Sequence, residues 1–193
     1  MPFTYTYLQQ FLARLQAAKL PGVFVDEIGT TPGKRKIQVI RIENSAQVTP
    51  LRIAGYIKKW WVKGLIPDVR IEDTAETRVS ATHRIILVVA REHANEQASS
   101  WTVCGVLRAL LDDTPTAAML RKDTTWLLVP IEDPDGSANA LFDPLTNHFW
   151  YHQGDATYGD YTPVEAVAYA AYLRAFVNSG RAIDVAVSYH NLE

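Results

Sequence analysis

Several features that often place a chain quickly are missing here. Cys104 is the only cysteine, so no internal disulfide can form. No stretch of about eighteen or more apolar residues exists, and so no segment long enough to span a bilayer as a helix. The N-terminus, MPFTYTYLQQFLARLQ, lacks the basic region and apolar core of a secretory leader. Charge of one sign is not in excess either. Against 21 acids stand 19 lysines and arginines, and a net charge of −2 gives no reason to expect nucleic-acid or acidic-membrane binding. There is no internal repeat and no low-complexity tract. A cytoplasmic, reducing location fits these absences. Cys104 itself lies in the apolar run WTVCGVLRALL, where a buried inert thiol is expected rather than a nucleophile.

What is present is apolar patterning. At 193 residues and 48% hydrophobic, the chain is long enough for one well-buried domain. Leu8, Phe11, Leu12 and Leu15 recur at helical spacing, which predicts a helix from Tyr5 to Ala18, capped by Thr4 or Thr6 and ended by Pro21-Gly22. Strands are predicted from Val23 to Ile28 and from Lys36 to Ile42, with a turn over Gly29 to Lys34 between them. Arg84 to Ala90 and Thr125 to Ile131 are continuous apolar runs, the pattern of central strands covered on both faces. Ala98 to Leu111 and Pro163 to Asn178 read as helices, and Ile183 to Tyr189 as a last strand. Strands alternating with helices predict a layered α/β domain. Asp133-Pro134-Asp135-Gly136 reads as a turn and Ser137 to Tyr161 as loop. Residues 45–81 show no clean period and form a possible insertion. Within them Trp60-Trp61 reads either as a ligand platform or as packing of the insertion onto the core.

Two features are unlike core filler. His93 and Glu96 stand three residues apart where a buried strand gives way to a helix, which places an imidazole and a carboxylate on one side of the first helical turn. His190 follows another predicted buried strand, AIDVAVSY. If the two strands are parallel neighbours, their carboxyl ends, where open α/β sheets bind ligands, bring His190 toward the pair. Two imidazoles and one carboxylate are a catalytic zinc set that leaves a fourth position open. The alternative is a polar residue at a helix start for His93 and a strand-end histidine bonded to backbone for His190.

With these residues in place the chain resembles the zinc carboxypeptidase family. Glu27-Ile28-Gly29-Thr30-Thr31-Pro32-Gly33-Lys34 resembles its early strand and turn. Arg91-Glu92-His93-Ala94-Asn95-Glu96 resembles the segment with its first two zinc ligands, and Val129 to Gly136, VPIEDPDG, its N-P-D-G turn. Ser188-Tyr189-His190 resembles the strand end with its third ligand. The resemblance implies a three-layer α/β/α sandwich with a mixed, largely parallel central sheet, and a single, partial domain over 1–193. It implies zinc held by His93, Glu96 and His190, and a metal-activated water cleaving a peptide or amide bond.

The departures are informative. Asp133 stands where the family commonly has asparagine, and Asn95 where digestive members have an arginine. By spacing, His148 falls near the place of the family's transition-state arginine, which makes it the candidate substrate-binding residue. The asparagine-arginine pair that grips a terminal carboxylate has no clear counterpart in Asp155-Ala156-Thr157-Tyr158. The family's general-base glutamate and a substrate-binding tyrosine lie past the third ligand, and the chain ends at Glu193, so no catalytic residue is assigned. Glu92 and Glu132 are the first acids to test as an internal base. An N-terminal portion of a longer hydrolase is expected, with self-association through an exposed sheet edge at the last strand. The rival readings are a zinc deacylase of small acyl-amino acids and a non-catalytic binding module that keeps the fold.

Overall fold

A computed structural model describes residues 2–43, 84–138, 164–178 and 181–191. The possible insertion at 45–81, Trp60-Trp61, Asp155 to Tyr158 and His148 lie outside the described residues. The elements run α1 (Tyr5–Ala17), β1 (Val23–Thr30), β2 (Lys36–Ile42), β3 (Arg84–Ala90), α2 (Gln97–Leu111), α3 (Pro115–Lys122), β4 (Thr124–Val129), α4 (Pro134–Ala138), α5 (Val164–Asn178) and β5 (Val185–Tyr189).

The strands form one mixed sheet in the order β1-β2-β4-β3-β5. β1 and β2 are antiparallel, as are β2 and β4, while β3 runs parallel to both β4 and β5. Side chains alternate between two apolar layers, as the period of two requires. Ile40, Ile42, Val88, Ala90 and Leu128 meet Leu8 and Leu12 of α1 and Val103, Leu107 and Leu110 of α2. On the other face Ile37, Val39, Ile85, Leu127 and Val129 meet Ala168, Tyr169, Tyr172 and Phe176 of α5. The result is an α/β/α sandwich with the continuous apolar runs of β3 and β4 in its middle. Among the described residues no helix is long and apolar enough to cross a membrane. Cys104 is half-buried, and burial pushes its thiol up to about 11, as suits an inert packing residue.

Polar contacts fix where β5 starts. Arg41 donates to Asp26 and Glu43 at 2.7 Å each, and Arg181 donates to Glu43 at 2.9 Å. Tyr172 of α5 donates to Asp26 at 2.6 Å, so the network ties the sheet to α5 ahead of β5. Asp184 then accepts from Ile85 N at 2.7 Å and donates its own N–H to Ile85 O at 2.9 Å. These bonds set the register that pairs Ala90 with Tyr189.

Local details differ from the sequence expectations: β1 runs on through Thr30, and β4 ends at Val129 rather than Ile131. Residues 115–122 form a helix, α3, with Thr114 as its cap and Pro115 in its first turn. Asp133 to Gly136 is not a plain turn. Asp133 accepts from Gly136 N at 2.8 Å and starts the short helix α4. And β5 begins at Val185 rather than Ile183.

Candidate metal centre

The centre is built at the carboxyl ends of β3 and β5. After Ala90 the chain turns sharply, with Arg91 in the left-handed region at φ 61°. Its guanidinium is buried and donates from Nε to Ala94 O at 2.8 Å and from Nη1 to Phe3 O. Ser99 accepts from Arg91 N at 3.1 Å and donates to Glu96 O at 2.5 Å. The loop 91–96 is thus bonded to itself and to the first turn of α2, so its side chains are held before any ligand arrives.

Glu96 is the residue just before α2, and His93 lies in the preceding turn rather than in the helix. Their backbones are joined by Glu96 N donating to His93 O at 3.1 Å. This still places the two side chains together. His93 Nδ1 lies 3.0 Å from Glu96 Oε1, and His190 Nδ1, just beyond the end of β5, lies 2.9 Å from the same oxygen. The imidazole rings are 5.2 Å apart between centroids. One donor atom from each of the three residues lies within 4.8 Å of the others, the only such group of its kind among the described residues.

The donor set suits a zinc ion. Two imidazole nitrogens and one carboxylate oxygen are borderline donors of the kind zinc takes, and three protein ligands leave one position for substrate or water. Glu96 is only 6% exposed, and its Oε2 has no hydrogen-bond partner among the described residues. A buried carboxylate with an unsatisfied oxygen is costly unless a cation or a proton joins it.

The DPDG segment supports this loop from below. A side chain at Gly136 would put Cβ 2.9 Å from Ala94 Cβ and 2.2 Å from Asp133 Oδ2, so only glycine lets α4 approach the loop. Asp135 reaches the other way, accepting from Thr31 Oγ1 at 2.6 Å, Gly33 N at 2.8 Å and Arg35 Nη1 at 2.7 Å. Two motifs far apart in sequence are therefore one polar joint.

A profile of the zinc carboxypeptidase family matches residues 8–190. The chain belongs to that family. Human cytosolic carboxypeptidase 6 is 24% identical over 135 residues, covering 70% of this chain and 21% of that protein. Mouse cytosolic carboxypeptidase 1 is 38% identical over 58 residues, 30% of this chain and 5% of that one. Among solved structures, a metallo-carboxypeptidase from Burkholderia cenocepacia superposes with a TM-score of 0.66 at 20% identity, over 99% of this chain and 41% of that one. Carboxypeptidase A from Helicoverpa armigera superposes with a TM-score of 0.65 at 12% identity, over 100% of this chain and 46% of that one. The structural likeness establishes the fold. The chain spans about a fifth of the length of the first relative and about two fifths of the solved structures.

The two acids considered as an internal base differ in their surroundings. Glu132 is buried, and burial, with the charges of Glu92, Asp133 and Glu165, raises its carboxyl well above the ordinary range. Glu92 touches the centre directly: its Oε2 lies 3.3 Å from His190 Nε2. Sequence spacing gave no hint of that contact, because it depends on which edge of the His190 ring faces β3.

Proposed function

We propose that this domain holds one zinc ion through His93 Nδ1, Glu96 and His190 Nδ1, and contributes that centre to a hydrolase acting on a peptide or amide bond. What carries the reading is Glu96 Oε1 set between two imidazole nitrogens at 3.0 and 2.9 Å while its buried Oε2 meets no partner among the described residues. Zinc there supplies Lewis-acid polarisation of a carbonyl and of water. The chain's own part is preorganisation. Arg91 and Ser99 hold the loop, α4 braces it through Gly136, and the β3–β5 register delivers His190. His93 and His190 offer neutral nitrogens and Glu96 a single negative charge, so the filled centre keeps a net positive charge toward a substrate oxygen.

A small acyl-amino acid is the second substrate class, favoured by the lack of a carboxylate-gripping pair at Asp155 to Tyr158. The names of the cytosolic relatives support a cytoplasmic location as part of the same proposal. The test is zinc content by elemental analysis, paired with turnover of C-terminal dipeptides and acyl-amino acids with and without chelator. One zinc per chain, lost in His93→Ala and Glu96→Ala, is the expected result. A chain that takes up no zinc sinks the proposal. With no general base assigned within it, the zinc-loaded chain is expected to turn over both classes poorly, and robust chelator-sensitive turnover would point to an internal base at Glu92 or Glu132.

A further inference from the structure

The His190 ring is addressed by protein on both edges. Nδ1 faces Glu96 Oε1 at 2.9 Å, while Nε2 lies 3.0 Å from Ser188 Oγ and 3.3 Å from Glu92 Oε2. These outer contacts differ in kind. A serine hydroxyl donates or accepts, so Ser188 is content with either tautomer of the ring. An ionised carboxylate only accepts, and its charge favours a proton on the nitrogen that faces it. Glu92 therefore breaks the tie.

Position supports the assignment. Glu92 belongs to the same bonded loop as His93 and Glu96, one residue after the buried Arg91. Its side chain is 12% exposed, so water competes weakly for the contact. Yet Glu92 is not in the convergent group of donor atoms formed by His93, Glu96 and His190. It stands on the far side of the His190 ring from Glu96, where an outer acceptor belongs and a ligand does not.

We propose that Glu92 is a positioning residue for His190: it keeps the ring proton on Nε2, and so leaves the Nδ1 lone pair directed at the metal position beside Glu96. This rests on reading His93, Glu96 and His190 as zinc ligands. A carboxylate behind a ligating imidazole fixes its orientation and raises its basicity. His190 needs such help more than His93 does. Its side chain is 40% exposed against 24%, and it follows β5, which has one strand neighbour among the described residues, rather than lying in the bonded loop.

The experiment is a competition titration of zinc against a chromophoric chelator, on the unaltered chain, Glu92→Leu and Glu92→Asp, with circular dichroism to confirm folding. Glu92→Leu is expected to weaken zinc binding about 10–100-fold, and Glu92→Asp, which keeps an acceptor-only carboxylate, by no more than about threefold. Proton NMR of the zinc-loaded chain reads the positioning itself. A slowly exchanging Nε2–H resonance of His190 should persist in Glu92→Asp and disappear in Glu92→Leu. Equal losses in both variants, or unchanged affinity and an unchanged resonance in Glu92→Leu, overturn the proposal while leaving the zinc site intact. No zinc uptake by the unaltered chain overturns the site reading and this proposal together.

Discussion

Asp135 and Glu96 are both buried carboxylates, and the chain treats them in opposite ways. Asp135, 1% exposed, is met by a hydroxyl, a backbone N–H and a guanidinium from the β1–β2 turn. Every contact is a donor, so the group is saturated by the protein. Among the described residues Glu96, 6% exposed, meets two imidazoles through one oxygen and nothing through the other. Neutral imidazoles present lone pairs as readily as protons. The first arrangement closes a joint, and the second leaves a place for a cation.

The largest effect should come from opening the closed joint. Asp135→Ala strands Thr31, Gly33 N and Arg35 at once, and urea denaturation should show a loss of about 3 kcal/mol with zinc affinity little changed. A loss under about 1 kcal/mol would erase the distinction between the two carboxylates. Glu96→Ala should do the reverse. Stability without metal should stay within about 1 kcal/mol of the unaltered chain, because an unsatisfied oxygen is removed. The stabilisation by zinc, about 2.7 kcal/mol at a hundredfold excess over Kd, should vanish.

Glu165 sharpens the comparison with a third solution, a proton. It is wholly buried, and burial pushes its carboxyl up to about 8, opposed by its own backbone N–H and aided by Asp133 and Asp135. The folded chain then keeps a proton that the unfolded chain releases above the ordinary glutamate value of 4.5. The contribution of this group is therefore greatest below that value and falls by about 1.4 kcal/mol per pH unit until the folded pKa is passed. Glu165→Gln should flatten that slope in unfolding free energies measured across the window. The smallest effect concerns the sheet edge, where Val185 is 46% exposed. If β5 mediates self-association, Val185→Lys should weaken it by on the order of 1 kcal/mol, about fivefold in Kd by sedimentation.

Much of the scaffold was legible because burial on both faces writes an unbroken apolar run. Lys36 to Ile42 and Arg84 to Ala90 were read with the boundaries that β2 and β3 have. The convergence of His93, Glu96 and His190 was legible for a related reason: each follows a strand, and parallel neighbours bring their carboxyl ends together. What escaped were features that depend on a single contact. α3 buries only Ala117, so it has little apolar period to betray it, although Thr114-Pro115 is a helix start. The helical turn at Asp133 to Gly136 depends on one side-chain cap. Ile183 reads as strand because it is apolar, but Asp184 spends its groups on Ile85 before the ladder begins. The role proposed for Glu92 turns on the rotation of a ring carried by another strand.

Among the described residues β5 has one strand neighbour, β3, and it is the most exposed strand of the sheet. With His93 and Glu96 rooted after β3 and His190 after β5, a shared ion would act as a clasp across that pairing. Peeling of β5 and release of the metal would then be one event, not two. Amide exchange over Val185–Tyr189 would slow in proportion to zinc occupancy, and the fraying rate of an outer strand would set how long the ion stays.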